Sequence, residues 1–251
     1  MLKDILFFFK KNFLSSKYLF RKKILRSLNK PLEPELNILD QLTDINKASI
    51  DIGVFRGVYA YRLAEISSQV YGFEANPIIF ETLNKNLLSL KNNIKLFNLG
   101  LSNTAGKSLL RIPIRNKSNF KSNFEDYYEG GLATIENDNN LQSKKYDKFE
   151  IKIEKLDNIQ LKHKVGFIKI DVEGHELSVL EGAIKILKEQ MPNLLIEIDS
   201  EHSHRVNETF KFLQDIYYEA FYFDNKNLIN INNYSDNLRK DFRNFIFKRK
   251  I

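Results

Sequence analysis

The run from Ala48 to Pro77, ASIDIGVFRGVYAYRLAEISSQVYGFEANP, constrains the fold more than any other part of the chain. A short apolar strand over Ala48 to Ile52 leads into a turn carrying Gly53 and Gly57. A helix is predicted from about Val58 to Ser67, then a second apolar strand from Val70 to Phe73 that ends at Glu74. Strand, glycine turn, helix and strand in so short a span form a βαβ unit, the half-module of open nucleotide-binding sheets. The two glycines let the backbone turn sharply and approach a ligand where a Cβ would clash. Glu74 lies 21 residues beyond Gly53. That puts it at the tip of the neighbouring strand, where a carboxylate takes both hydroxyls of a ribose. The plainer alternative is an ordinary βα turn with a capping Asp.

The identity of the nucleotide follows from charge. A dinucleotide fold wants three closely spaced glycines, because a pyrophosphate sits on bare backbone amides at a helix N-terminus. Here the pattern is Asp51-x-Gly53-x-x-x-Gly57, with one glycine missing and an acid at its head. Asp51 and Glu74 are expected to make the pocket rim negative, poor for pyrophosphate and good for the sulfonium and ammonium of S-adenosylmethionine.

Farther along, Pro77 opens a helix with Ile79, Phe80, Leu83, Leu87 and Leu90 as its buried stripe. Ile94 to Leu101 reads as a third strand, and SLLRIPI (108–114) with Phe149 to Glu154 as strands of a small hairpin. Between them, residues 116–148 are polar and weakly patterned, with Gly130-Gly131 near the middle. We expect a lid or acceptor-binding loop, the alternative being a disordered insertion. Val165 to Asp171 is a central strand and Leu194 to Asp199 another, with one helix between them ended by Pro192. A helix over about His204 to Tyr217 and strands over about Ala220 to Phe223 and Asn244 to Phe247 complete a count of seven strands, the last two forming an antiparallel pair.

At 251 residues the chain fits one α/β domain with an appendage. It has no cysteine, which excludes disulfide frameworks, thiolate metal sites and thiol catalysis. The net charge of +7 is confined to one end. Residues 1–30 carry nine Lys/Arg against Asp4 alone, so the remainder holds 30 basic and 31 acidic side chains. The main domain is therefore not a nucleic-acid-binding surface by charge. In the basic end, Leu2, Ile5, Leu6, Phe9, Phe13 and Phe20 recur at helical spacing, with an apolar run too short to span a bilayer. Residues 1–34 are thus expected to be a basic amphipathic helical segment and 35–251 the main domain. The helix either packs on the domain or lies on an anionic membrane surface. A cytoplasmic protein, peripheral at the inner face of the membrane in the second case, is the expected location.

The second informative stretch is IKIDVEGHELSVLEGA (168–183). Asp171, Glu173, His175 and Glu176 emerge where a doubly wound sheet binds ligands, at the carboxyl end of a strand. Glu197 stands at the end of the next strand, followed by His202 and His204. Capping and helix-dipole balance account for one or two of these groups, not readily for the set.

Together, Asp51-Ile52-Gly53…Gly57, Phe73-Glu74-Ala75-Asn76-Pro77, Lys155-Leu156-Asp157 and Lys169-Ile170-Asp171-Val172-Glu173-Gly174-His175-Glu176 resemble the FkbM family of S-adenosylmethionine-dependent methyltransferases. The resemblance implies a class I methyltransferase, Rossmann-like α/β fold: a seven-stranded, mostly parallel sheet with an antiparallel last strand and helices on both faces. It implies O-methyl transfer to a hydroxyl of a sugar, glycan or related metabolite. By position, Asp51, Gly53 and Gly57 would line the methionine and ribose, Glu74 would hold the ribose hydroxyls, and Ser102 and Asn103 would approach the adenine. Where the family usually has Ala-Asn after the first glycine, this chain has Val54-Phe55-Arg56. An inward Arg56 would repel a sulfonium, so it is expected to face out or to bind an acceptor anion.

For the acceptor, His175 is the preferred general base, with Asp171 and Glu173 holding hydroxyls rather than a metal. Glu176, Glu197, His202 and His204 are further candidates on the acceptor side. The Asn-Pro-Pro-aromatic turn of a nucleic-acid base methyltransferase is absent; Asp171-Val172-Glu173-Gly174 stands there instead. The rival from another class is a catalytically silent methyltransferase-like module bound to a membrane surface.

Overall fold

The computed structural model describes residues 15–114, 128–136, 145–199, 205–231 and 242–250. The chain begins with α1 (Ser16–Asn29), a 3-10 turn (Pro34–Asn37) and the short α2 (Leu39–Leu42), then β1 (Ala48–Ile52), α3 (Val58–Ile66), β2 (Gln69–Phe73), α4 (Pro77–Asn86) and β3 (Ile94–Phe97). A side sheet follows, from β4 (Gly100–Leu101), β5 (Gly106–Pro113) and β6 (Tyr146–Glu154). The second half supplies β7 (Val165–Ile170), α5 (Glu176–Glu181), α6 (Ile184–Gln190), β8 (Asn193–Glu197), α7 (Val206–Asp215), β9 (Tyr218–Phe223), β10 (Leu228–Ile231) and β11 (Asn244–Arg249).

The main sheet has the order β10-β9-β11-β8-β7-β1-β2-β3. Strands β3, β2, β1, β7 and β8 run parallel, and β11 enters antiparallel between β8 and β9. This is the expected mostly parallel sheet with a reversed final strand. An eighth strand, β10, pairs antiparallel with β9 across a turn in which Asp224 Oδ1 accepts the amides of Lys226 and Asn227.

Alternation along the strands divides the core. Ala48, Ile50, Ile52, Ile168, Ile170, Leu194 and Ile196 face one layer, and Phe167, Leu195 and Ile246 the other. Both faces of the central strands are buried, as parallel sheets require. Phe73, Phe167, Phe245 and Phe247 are among the largest fully buried side chains, and each contributes roughly 1.5–3 kcal/mol by leaving water.

Two expected elements divide. The run from Ile94 to Leu101 leaves the main sheet after Phe97. There Asn98 Nδ2 reaches back to the carbonyl of Glu74 (2.8 Å), and Gly100-Leu101 pair instead with Ile153-Glu154 of β6. The helix expected after residue 176 breaks into α5 and α6 at Gly182. A Cβ there would lie 2.0 Å from the carbonyl oxygen of Ser102, so the close approach of that loop selects glycine. Asp157 restarts the helix: its carboxylate accepts the amides of Lys185 (2.8 Å) and Ile186 (3.0 Å).

Helix α1 lies against α3 and α4. It buries Ile24 in the layer beneath the sheet, with Phe20 and Leu28 beside it, while Lys17, Arg21, Lys22 and Arg26 remain exposed. For residues 15–30, the apolar stripe is therefore covered by the domain. Leu2, Ile5, Leu6, Phe9 and Phe13 lie outside the described residues, as do 115–127 and 137–144 of the polar loop. Among the described residues, no helix is long and apolar enough to cross a membrane.

Candidate active site

The turn after β1 is built by close approach. Gly53 adopts φ +82°, donates its amide to Phe73 O (2.9 Å), and passes so near the end of β7 that a Cβ would sit 1.9 Å from the carbonyl oxygen of Asp171. Gly57, at φ +72°, precedes the first turn of α3. Between them Phe55 takes a positive φ of 46°, uncommon for a side chain of that size. Arg56 faces outward, as expected, with its guanidinium 4.9 Å from the centroid of the Phe55 ring.

Glu74 locks that turn to the end of β2. Its Oε2 accepts the amide of Phe55 (2.9 Å), and its Oε1 that of Asn76 (2.9 Å). Asn76 in turn caps α4 by accepting the amides of Ile78 and Ile79. Each Glu74 oxygen keeps capacity for a further donor. Burial pushes the carboxyl up to about 7 although both amides pull it down.

Asp51 differs from the expectation. Its side chain lies on the opposite face of β1 from Ile50 and Ile52, fully buried beneath the cleft rather than on its rim. Neither carboxylate oxygen has a hydrogen-bond partner of ordinary geometry among the described residues, although the Ala60 amide lies close enough to favour the charged form. Burial raises its pKa to about 7, with Asp171 and Glu74 adding to the shift and Lys169 opposing it. Lys169 pairs with Asp51 in register on β7, and its ammonium lies 2.6 Å from Asp171 Oδ2. Burial alone would lower the Lys169 pKa; the Asp171 and Asp51 carboxylates hold it above its usual value.

More acids surround this pair. Tyr59, over whose ring the Lys169 ammonium sits at 4.9 Å, donates to Glu33 (2.7 Å). Glu35 is buried beside it and raised to about 7 by desolvation. Glu197, next to Asp171, is pushed up to about 9 by burial and by the charges of Asp171 and Glu173. The described residues thus gather a marked excess of carboxyl groups around one buried lysine. Among those residues, no group of three or more His, Cys, Asp or Glu is arranged to hold a metal ion.

The turn after β7 carries Glu173 at φ +52° and Gly174 at φ +98°. Glu176, expected on the acceptor side, is instead buried and braces this turn by accepting the amide of Gly174 (2.9 Å); burial raises it to about 8. His175, expected to be the general base, has both ring nitrogens engaged. Nδ1 faces Glu136, and Nε2 lies 2.9 Å from Ser102 Oγ. Its hydrogen bond to Glu136 holds that carboxyl below the usual range. Ser102 and Asn103, expected at the adenine, direct their side chains to His175 and Glu181. His202 and His204 lie outside the described residues.

These elements line a partly open cleft. Glu74, Asp171, Glu173 and His175 supply its polar edge, and Phe73, Leu101 and Val172 an apolar floor. The side sheet contributes Leu110 and Ile151 to the lining, with Ala133 and Ile135 of the polar loop packed against them. Sequence reasoning missed Glu136, Lys169 and the Glu33–Glu35 pair. Lys169 stood in the quoted motif beside Asp171, but nothing in the polar loop marked Glu136.

A family model described as the Methyltransferase FkbM domain matches residues 51–223. No curated protein matches the chain. Similar solved structures include the methyltransferase FkbM of Methylobacillus flagellatus KT, at 16% identity and a TM-score of 0.49 over 82% of this chain and 44% of that one. Others are a methyltransferase of Streptococcus mutans in complex with SAH (12%, 0.48, over 88% and 98%) and an rRNA methylase of Streptococcus thermophilus (15%, 0.45, over 88% and 96%). The chain thus spans less than half the length of the Methylobacillus protein. The family match covers well over half of this sequence and takes in the glycine turn, Glu74 and the turn from Asp171 to Glu176, so the chain belongs to the FkbM methyltransferase family.

Proposed function

We propose that the chain transfers a methyl group from S-adenosylmethionine to a hydroxyl of a sugar, glycan or related metabolite. The observation that carries this reading is Glu74, whose carboxylate is fixed by two backbone amides beside the glycine turn and retains acceptor capacity on both oxygens. A vicinal diol matches that arrangement. The residues around it fit the rest of the cofactor. Orphaned Asp51 and the carboxylate excess beneath the cleft favour a ligand that brings positive charge into a site of low dielectric. The apolar floor and wall suit a flat base and exclude water.

When bound, the cofactor supplies an electrophilic methyl group on a sulfonium. The chain's own part is to hold the acceptor and to remove its proton. Asp171 and Glu173 stand at the cleft edge with backbone positions fixed by the strand end and the strained turn. Asp171 lines the cleft with Oδ2 tied to Lys169 and its carboxylate hydrogen-bonded to Glu197 as well; with lone pairs to spare, it is placed to accept the hydroxyl proton as the oxygen becomes nucleophilic. It is preferred to His175, whose two nitrogens are its whole hydrogen-bonding capacity and are both engaged, whereas a carboxylate with two partners keeps further lone pairs. A hydroxyl-bearing acceptor also suits an acidic surround better than a nucleic acid, whose phosphates it would repel.

The test is transfer of labelled methyl to a panel of sugars and glycans, with the modified atom located by mass spectrometry. Methylation of hydroxyls supports the reading. Methylation confined to amines or nucleobases overturns it.

A further inference from the structure

We propose that residues 128–136 form a strap across the cleft, latched by Glu136 on His175, and that release of this latch sets how fast donor and demethylated product exchange. The proposal rests on the reading of the cleft as the S-adenosylmethionine site.

The two edges of the strap are held differently. Toward the side sheet it is joined by backbone pairing: Arg111 and Thr134 exchange amide-to-carbonyl bonds (2.9 and 3.0 Å), and the amide of Glu129 donates to Pro113 O (2.9 Å). Toward the main sheet two side chains hold it: Thr134 Oγ1 donates to Glu173 O (2.8 Å), and Glu136 meets His175 Nδ1. Between these edges Gly131, Ala133 and Ile135 line the cleft, and a Cβ added at Gly131 would lie 3.4 Å from the Phe55 ring. Among the described residues, paired backbone on one side and the side-chain contacts of Thr134 and Glu136 on the other make a hinge and a free edge. The strap lines the cleft at Gly130, Gly131, Ala133 and Ile135, and in this proposal donor and product pass when its free edge lifts.

Glu136 is suited to be the releasable contact. Its side chain is 37% exposed, whereas that of His175 is 11% exposed and pinned from behind by Ser102. Water reaches the strap side of the pair first, while the histidine side stays fixed to the core. Arg111 and Arg205 add a favourable field at Glu136, so the closed position is electrostatically preferred. Ser, His and Glu in this order also make up the relay of serine hydrolases. Here Ser102 is 3% exposed, too buried to attack a substrate carbonyl. The line of contacts serves instead to tie the strap to the core, which makes Glu136 a positioning residue.

The test uses the full chain, its Glu136→Gln variant and, for the second contact of the free edge, Thr134→Val. Hydrogen exchange of the peptide covering the strap, the dissociation rate of S-adenosylhomocysteine by stopped flow, and the melting temperature are measured for each. Replacing a charge-assisted hydrogen bond by a neutral one predicts strap exchange and product release about tenfold faster in Glu136→Gln, with an unchanged melting temperature. If wild type binds the product and both variants release it at the wild-type rate, the latch is refuted while the cleft assignment stands. If wild type binds no product at all, the cleft assignment fails and takes the proposal with it.

Discussion

Replacing Glu74 by Gln isolates the contact on which donor recognition depends. The carboxylate accepts Phe55 N and Asn76 N, one on each oxygen. In the variant one oxygen becomes an NH₂ group that points at a backbone N–H, so one amide loses its acceptor and one ligand hydroxyl loses its partner. A hydrogen bond to a charged group is worth about 1.5–3 kcal/mol, which is about ten- to 150-fold in affinity. Isothermal titration with S-adenosylhomocysteine reads this directly. The fold itself should tolerate the change, because the substitution also removes a carboxyl whose ionisation burial opposes. The same group predicts a pH profile. With a pKa near 7 in the free protein, the ionised form is about a tenth of the population at pH 6 and about nine-tenths at pH 8, so affinity should rise severalfold across that range. Most of that rise should disappear in Glu74→Gln, with the remainder due to Asp51. Affinity in the variant within threefold of wild type would refute the ribose role of Glu74.

Other outcomes follow from the same geometry. Glu35, Asp51 and Glu74 are raised to about 7, Glu176 to about 8 and Glu197 to about 9, all by burial first. The folded protein therefore holds protons that the unfolded chain has released above pH 4.5. The ligand-free melting temperature should accordingly fall as pH rises from 5 to 9, and a flat or rising profile would contradict the buried acid cluster. Gly53→Ala must relieve a 1.9 Å approach to Asp171 O as well as a positive φ, the latter alone costing roughly 1–2 kcal/mol. Calorimetry should show a lower melting temperature and lost product binding, whereas wild-type binding would mean the turn has another conformation. Asp157→Ala removes both caps of α6 and should destabilise the fold by about 1 kcal/mol in urea titration while leaving product affinity unchanged. Asp171→Asn should lower turnover far more than product affinity, and more than His175→Ala does; the reverse order in a labelled-methyl assay would return the base role to the histidine.

Sequence alone revealed much of the fold because periodicity is a local property. The first βαβ unit, the central strands and the reversed β11 all announce themselves by apolar alternation and by Gly53, Gly57 and Pro77. What stayed hidden depends on residues distant in the chain. Gly182 looks like any helical glycine until the Ser102 carbonyl is placed 2.0 Å from its missing Cβ. The break at Asn98 is decided by the carbonyl of Glu74. Strand β10 was missed, although Asp224-Asn225 followed by Leu228, Ile229 and Ile231 carries a turn and an apolar run. In the site, the sequence identified acidic residue types correctly but not their orientation. Asp51 lies inside its strand, one residue before the end, and is wholly buried, whereas Glu74 follows the last residue of β2 and lines the cleft. His175 has the chemistry of a base by type; only the fold shows Glu136 and Ser102 occupying its nitrogens.

The most direct measurement is a crystal structure of the protein grown with saturating S-adenosylhomocysteine. We predict density in the cleft between Phe55 and Val172, with the ribose hydroxyls on the Glu74 carboxylate and the positively charged amino group directed toward the acids that include Asp51. A ligand bound elsewhere, or an empty cleft at saturation, would contradict the account.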